Sequence, residues 1–596
     1  MKVVAFDTET RGLDWFDPNQ QAFIATWSVL EDDGKITDHI AFHDDYASMT
    51  PTKGEPVQAF LDALQDADVI VAHNFSFDYN QVKATWGFDI IEDTTAGRNG
   101  QLVDTDLMSR VLLPDNQRDG RGGHGLKNLA VQFLDPSAAN AEDDIKKMAK
   151  QSKIKLKETG GYFETWRAYP EVMEKYAKLD SNYTLRLYNK FKQMEASNPQ
   201  AAKVIALEHA CLPVLVRAEH TGVALDPEKV KELHEEYESI RDRTYTELVT
   251  ELGDEALGGN GSEAALLEAL QMIGVPLYRR TPTGNLATNA YALQEFEDDF
   301  PQIRALQDWR TANKFLSTYI NPMMGRETVH CNFRQIGAWT GRMSCARPNM
   351  QNIPARAGTE VREMFVPREG CSFVVADYDS IEIRILAHYL NDDGFKELIA
   401  AGHDPHAWMA SMIWGGEMDD YLKGTPGEKK RAIAKNTLFA ITYGAGAKRV
   451  SDMNKMDIAE AKALVATIKS SLPNFKRLTG RVQKKIKSVG YVNTLFGRVN
   501  TVPRDKAYVG LNALVQGSAA DVMKQGVVNV GKVAAEFGPE TQLLLVVHDE
   551  AVVECLTDDA EEVREAVEHA MISAYDLTPE LKVTSTIVHN SYAEAK

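Results

Sequence analysis

The run LLLVVHDEAVVE (543–554) limits what this chain can fold into more than any other stretch. Two apolar segments flank His548-Asp549-Glu550, which predicts a β-hairpin with acids at its turn. A second run, FVVADYDSIEIR (373–384), predicts a buried strand ending in Asp377. Acids are common at turns, and one alone says nothing. Two strand-end carboxylates brought together could bridge two metal ions and stabilise an in-line phosphoryl displacement.

Between these runs lies RAIAKNTLFAITYG (431–444), which predicts a helix. Arg431, Lys435, Phe439 and Tyr443 recur every four residues and so share one face. They span 12 residues, about 18 Å of helix. Two cations can hold a triphosphate, and two aromatic rings can pack on a base and a sugar. Basic residues at the start of a helix oppose its dipole, which points to an anionic partner. Farther on, residues 476–506 carry nine Lys and Arg against one acid, Asp505. In a chain of net charge −20 that cluster is a candidate stripe for a phosphate backbone.

The N-terminus carries a second constellation. VVAF (3–6) and DVIVAHN (68–74) predict buried strands, and residues 171–193 a helix with mixed faces. Asp7 and Glu9 are two apart at the end of the first strand, so they point to one side and can offer two hard oxygen ligands to one metal. Asp78 follows the second strand in HNFSFD (73–78). Asp180 lies four residues after Tyr176, on the same helix face. Four carboxylates and a tyrosine could hold two metals and orient a water for phosphodiester cleavage.

At 596 residues the chain has room for about three to five domains. With 44% hydrophobic and 26% charged residues it is neither disordered nor collagen-like. The acidic total excludes a histone-like protein that binds nucleic acid over its whole surface, while leaving room for a local basic path. Five scattered cysteines, without a CxxC pair, argue against a disulfide framework or structural zinc site and fit a reducing compartment. The start MKVVAFDTET lacks the apolar length of a signal peptide, and no apolar run reaches about 18 residues. Residues 1–195 read as an α/β domain, with loops or a peripheral helix at 116–125 and 146–157. Residues 196–320 read as mostly helical, broken at TGVALDP (221–227) and at a Gly-rich turn (257–262).

The ordered set DxE, HNxxFD and YxxxD resembles the proofreading 3′→5′ exonuclease domain of DNA polymerases, in the variant with Tyr in its last motif. The downstream runs resemble family A DNA polymerases, the class of bacterial DNA polymerase I and related phage replicative enzymes. TGRMSCARPNMQNIP (340–354), DPH (404–406), GYVNTLFGR (490–498) and NALVQGSAAD (512–521) extend that likeness over most of the chain. The resemblance implies an α/β and α+β multidomain fold: an RNase H-like exonuclease domain (1–195), then a right-hand polymerase. The thumb would be 196–330, the palm 331–390 and 505–596, and the fingers 391–504.

It also implies roles. Asp7, Glu9, Asp78 and Asp180 would be exonuclease metal ligands, with Tyr176 positioning the water. Asp377 and Asp549 would hold the polymerase metals, the Tyr378 carbonyl completing a site and Glu550 beside them. His406, Arg431 and Lys435 would contact the triphosphate, and Phe439 and Tyr443 would stack on the nucleotide. Glu382 would be the steric gate against a ribose 2′-OH. Arg342, Asn349, Gln351, Asn512, Gln516 and His548 would meet the primer–template. The implied cofactor is Mg²⁺, two per active site, with Mn²⁺ able to substitute. The implied partners are primer–template DNA, dNTPs and a single-stranded DNA 3′ end, with no membrane.

Four positions depart from the pattern. Asp379 and Ser380 replace the Ser and Gln of the usual DYSQIELR, Tyr508 replaces an Arg, and Tyr592 replaces a common Trp. No 5′-nuclease domain is expected, since the first metal motif starts at residue 7. No long thumb-tip insertion that binds a thioredoxin clamp is expected either. The expected location is the cytoplasm, a host's if the chain comes from a phage. A single-chain RNA polymerase shares the Asp, Lys/Tyr and HD pattern, but Glu382 and the exonuclease motifs argue against it. Intact carboxylates at both sites argue against a non-catalytic DNA-binding protein.

Overall fold

A computed structural model of the chain describes all residues except 32, 44, 47–53, 116–122, 141, 258–262, 282–283, 355–357, 473 and 596. Most of the loop expected at 116–125 and of the turn expected at 257–262 thus lies outside the described residues. Among the described residues no helix is long and apolar enough to cross a membrane.

The N-terminal unit is built on a five-stranded sheet of order β3-β2-β1-β4-β5. Its strands are β1 (Val3–Thr10), β2 (Ala22–Leu30), β3 (Ile36–Phe42), β4 (Val69–Ala72) and β5 (Leu102–Asp104). β1 is antiparallel to β2 and parallel to β4. It runs past the apolar VVAF because β2 keeps supplying partners, Asp7 opposite Thr26 and Glu9 opposite Ile24. The acids therefore sit on a central strand whose position is fixed by the ladder on both sides. Around the sheet lie α1 (Phe75–Trp86), α2 (Leu126–Phe133) and α3 (Pro170–Ala196). Proline at the first turn of α3 presets the helical φ and costs no hydrogen bond there. The stretch expected as loop or peripheral helix at 146–157 begins within a helix over Asp143–Gln151.

The next helix, α4 (Pro199–Thr221), is buried on several sides. Val204 and Ile205 pack into one core of the N-terminal unit, and Leu212 and Val216 into another. Cys211, Leu215 and Ala218 belong to the large core of the C-terminal half. A helix apolar around most of its circumference has to be covered on all of those faces. Beyond the break predicted at TGVALDP, α5 (Pro227–Leu252) starts on an Asp226 cap that accepts from the Glu228 and Lys229 N–H groups. It packs against α6 (Pro301–Phe315), with Tyr237 stacked on Phe315 at 4.9 Å.

The C-terminal half centres on β6 (Cys371–Tyr378). It is followed by α7 (Ile381–Leu390), α8 (Pro405–Trp414), α9 (Glu428–Thr442), α10 (Phe475–Val489) and α11 (Gly510–Phe537). Then come β7 (Gln542–Val547), β8 (Glu550–Leu556), α12 (Ala560–Ile572) and β9 (Val583–Val588). The four strands make a sheet of order β7-β8-β6-β9, antiparallel throughout. The hairpin expected from LLLVVHDEAVVE is β7–β8, and it lies beside the strand expected from FVVADYDS. In α10 the buried residues Phe475, Leu478, Val482 and Ile486 recur at helical spacing, and the basic residues between them face solvent.

Four charged groups are sealed where the halves meet. Glu208 of α4, Arg498 of the loop after α10, and Asp521 and Lys524 of α11 are each at most 4% exposed. Lys524 donates to Glu208 at 2.6 Å, Arg498 Nε donates to Asp521 at 2.7 Å, and Arg498 also pairs with Glu208. Gln335 Nε2 and Thr494 Oγ1 donate to the remaining carboxylate oxygens at 2.7 and 2.6 Å. Arg498 is thus the exception in the basic cluster of 476–506: it is a buried structural group, while the others are wholly or largely exposed. Burial alone would raise the Glu208 pKa, but Lys524 and Arg498 outweigh it and hold it below the ordinary value.

Removing one member of a satisfied buried network strands the others. Glu208→Ala is therefore expected to destabilise the protein by about 3–5 kcal/mol, measured as a lower denaturation midpoint in urea. A midpoint equal to wild type would show that the network contributes nothing.

Candidate active sites

In the N-terminal unit, Asp7, Glu9 and Asp180 bring one carboxylate oxygen each within 4.8 Å of one another. β1 supplies the first two and α3 the third, so the group joins a strand to the helix packed across it. Asp78, in the first turn of α1, stands beside the three. Its Oδ1 accepts from the Thr8 N–H at 2.9 Å and the Thr8 hydroxyl at 2.7 Å. Tyr176 lies one turn before Asp180 on α3 and is buried.

The electrostatics follow from crowding acids out of water. Burial pushes Asp7 up to about 7, against the pull of Lys127. Burial and then Asp7 raise Glu9 well above the carboxylate range. Burial and then Asp7 also raise Asp78, with the Thr8 bonds opposing. Burial and then Glu9 raise the Tyr176 hydroxyl. Such a set of hard oxygen donors, disfavouring its own charge, fits a divalent cation.

A residue that the sequence reading missed already sits there. Lys127, at the start of α2, forms an ion pair with Asp180. Its ammonium also stands 4.4 Å from the centre of the Tyr176 ring. Burial brings its pKa down to about 8, although Asp7 and Glu9 favour the charged form. Nothing in the spacing of GLKNLA (125–130) connects it to the acids; only the packing of α2 against α3 does.

In the C-terminal half, β6 and β8 pair with Asp377 opposite Glu550. The Tyr378 N–H donates to the Asp549 carbonyl at 3.2 Å. The hairpin turn thereby sets Asp549 against the end of β6 that carries Asp377. The turn is tight: His548 has φ of +61° and is exposed. Burial raises the Asp549 pKa, opposed by Arg342 and His548. Glu550 is buried and accepts from the Tyr592 hydroxyl, and Arg362 lies 4.3 Å over the Tyr592 ring. The C-terminal Tyr592, one of the departures, therefore braces the acidic turn.

The face expected on α9 is present, with Tyr443 at the residue that ends the helix. The Phe439 and Tyr443 rings are 6.0 Å apart, and His406 of α8 is 5.9 Å from Phe439. Arg431 pairs with Asp404 at 2.7 Å. Asp404 also caps α8 through the His406 and Ala407 N–H groups. Burial lowers His406 to about 4, so its ring is neutral at ordinary pH. Glu382, 8% exposed in the first turn of α7, joins two of these parts. One oxygen accepts from Arg342 and the other from the Tyr443 hydroxyl at 2.7 Å.

Gln516 of α11 stands beside the Tyr443 hydroxyl. Asn512 is one turn earlier, and its Oδ1 is buried with no hydrogen-bond partner among the described residues. The Asn349 side chain accepts from the Gln351 N–H at 3.1 Å, and Gln351 Nε2 donates to the Val546 carbonyl at 3.1 Å. Gln351 thus ties its loop to β7. At the other departures, Asp379 accepts from Thr584 at 2.8 Å and pairs with Lys582 at 3.3 Å, both in or next to β9. Ser380 is exposed with φ of +52°, and Tyr508 is 51% exposed. Asp379 is thereby tied to the edge strand β9.

Residues 1–195 match the family model described as 3′-5′ exonuclease, and residues 227–593 the one described as DNA polymerase family A. DNA polymerase I of Pseudomonas aeruginosa is 29% identical over 620 residues, covering 99% of this chain and 63% of the relative. DNA polymerase I of Chloroflexus aurantiacus is 31% identical, covering 70% and 46%. The thermostable DNA polymerase I of Thermus filiformis is 33% identical, covering 64% and 47%. The chain thus spans less than two thirds of the length of these relatives. Its fold is that of a solved structure, the POL domain of Pol1 from M. smegmatis in complex with DNA primer-template and dNTP. The TM-score is 0.76 at 24% identity, covering 100% of this chain and 96% of that one. With a polymerase model matched over more than half of its residues, preceded by an exonuclease model, the chain belongs to DNA polymerase family A.

Proposed function

We propose that the chain is a DNA-templated DNA polymerase that proofreads with a 3′→5′ exonuclease and serves DNA replication. The observation that carries this reading is that acids gather on two separate sheets of one chain, while in the second half Glu382 joins Arg342 to the aromatic Tyr443 end of α9. On this reading 1–195 is the exonuclease domain, 196–330 the thumb, 331–390 with 505–596 the palm, and 391–504 the fingers. Primer–template DNA, dNTPs and a frayed single-stranded 3′ end are the substrates.

Mg²⁺, with Mn²⁺ as a substitute, would be held by Asp377, Asp549 and the Tyr378 carbonyl at one site and by Asp7, Glu9, Asp78 and Asp180 at the other. When bound it would offset charge on the reacting phosphate and sharpen the attacking oxygen. The remaining work falls to the chain. Arg431 and Lys435 hold the triphosphate, and the neutral His406 can donate one N–H to it. Phe439 and Tyr443 flank the base and sugar. Glu382, held by Arg342 and Tyr443, fills the space that a 2′-OH would need. Arg342, Asn349, Gln351, Asn512, Gln516 and His548 line the path of the primer–template.

In extension, the primer 3′ oxygen bonds to the α-phosphorus, the bond to pyrophosphate breaks, and the hydroxyl proton passes to solvent water. In proofreading, a water oxygen bonds to the terminal phosphorus and the bond to the 3′ oxygen breaks. One water proton ends on that oxygen, leaving a nucleoside 5′-monophosphate and a shortened strand. Tyr176 orients the water.

The two activities should separate. The double substitution Asp7→Ala with Glu9→Ala is expected to abolish degradation of single strands and leave primer extension within about twofold of wild type, because its residues lie on a different sheet from Asp377 and Asp549. Extension falling as far as degradation would refute the assignment. Glu382→Ala removes the acceptor of both Arg342 and Tyr443 and opens space beside the sugar. The ratio of kcat/KM for dNTP over rNTP should fall by about a hundredfold or more. An unchanged ratio would remove Glu382 from the role.

A further inference from the structure

Lys127 is the positive group nearest the carboxylates of the N-terminal site, and the assigned roles leave it unused. It pairs with Asp180, its side chain is 18% exposed, and its ammonium faces the rings of Tyr176 at 4.4 Å and Tyr183 at 5.5 Å. It also lines a cavity of about 630 Å³ with Asn128, Glu142, Lys146, Tyr176 and Asp180. Of the site's four acids, Asp180 lines that cavity. Its second lysine, Lys146, is already paired with Glu142 at 2.6 Å.

Two facts about this arrangement pull in different directions. An ammonium on Asp180 occupies an oxygen that a divalent cation needs, so the two compete. A divalent ion placed next to that ammonium repels it, and a lysine on a four-carbon stem can move where a guanidinium fork would be fixed. Once displaced, the ammonium needs another anion. Asp7 and Glu9 would be shared with the same ions, and Glu142 holds Lys146. The open direction is the cavity, where a strand's terminal nucleotide would bring a phosphate.

We propose that Lys127 is an exchangeable cation of this site. It neutralises Asp180 when no divalent ion is bound. When ions take the carboxylates, it turns into the neighbouring cavity and pairs with the scissile phosphate, where extra negative charge develops as the water attacks. The idea rests on the exonuclease reading above. It would give a site so crowded with acids a counter-charge whenever no metal is bound, and it adds a cation at the reacting group without adding an ion.

The test uses the full chain carrying Asp377→Asn and Asp549→Asn, so that Mn²⁺ binding reports on the N-terminal site. Mn²⁺ affinity is measured by calorimetry, and degradation of a single-stranded oligonucleotide gives kcat and KM separately. With its competitor gone, Lys127→Met should bind Mn²⁺ about tenfold more tightly. Its kcat should nevertheless fall about a hundredfold, as for loss of one group that stabilises a developing oxyanion. Lys127→Arg should recover part of kcat while leaving Mn²⁺ affinity closer to wild type. Circular dichroism of metal-free Lys127→Met checks that it is folded; if it is not, Lys127→Arg alone decides by the same two readouts. Mn²⁺ affinity unchanged with kcat at wild type would make Lys127 a bystander. Weaker Mn²⁺ binding together with a lower kcat would mean that it only holds Asp180 in place. Either result overturns the exchange. A parent chain that degrades no single strand with Mn²⁺ bound would instead overturn the exonuclease reading, and the phosphate contact with it.

Discussion

The buried quartet of Glu208, Arg498, Asp521 and Lys524 is the constraint on which the arrangement of the molecule depends. Two acids and two bases out of water are tolerable only when every charge meets its complement, and each of these does. The four come from three places: the helix between the two halves, the loop leaving the basic helix, and the long helix that precedes the β7–β8 hairpin. A shift of any one of these elements would leave an uncompensated charge. The quartet therefore fixes α4 against α11 more sharply than apolar packing would, since apolar side chains tolerate small slides and ion pairs in a dry interior do not.

From that fixed joint the two sites can be traced outward. α4 carries Glu208 toward Lys524 and Arg498 of the C-terminal half and, on its other faces, Leu212 and Val216 toward the N-terminal sheet. Near its end, Glu219 accepts from Ser76, Asn80 and the Phe333 N–H, linking α1 to the C-terminal half. Burial pushes Glu219 up to about 8, against the pull of its hydrogen bonds from Ser76, Phe333 and Asn80. The sheet that carries Asp7 and Glu9 and the sheet that carries Asp377 are thus tied to one helix. Each site nevertheless keeps its own ladder: β1 between β2 and β4, β6 between β8 and β9.

Much of this was legible in the residues. Apolar runs ending in acids announced β1, β6 and the β7–β8 hairpin, because strand alternation and turn chemistry are local signals. The four-residue spacing of Arg431, Lys435, Phe439 and Tyr443 announced one helix face for the same reason. What the sequence hid was non-local. Arg498 looks like its basic neighbours, yet its partner Glu208 is 290 residues away. Lys127 sits in a plain amphipathic segment, and only the crossing of α2 and α3 brings it to Asp180. Asp379 and Tyr592 read as departures from a pattern, and their local repayment through Lys582, Thr584 and Glu550 needed the sheet to be seen.

A helix shared by both halves also acts as a ruler. Because α4 is seated in both cores, the gap between the two carboxylate clusters is set by the protein and does not stretch with the substrate. On the proposed function, a primer end travelling from one cluster to the other must cover the same path every time, and it can do so only by unpairing the same number of nucleotides. The choice between adding to a strand and trimming it would then be made by the DNA itself, through how readily its last few base pairs come apart.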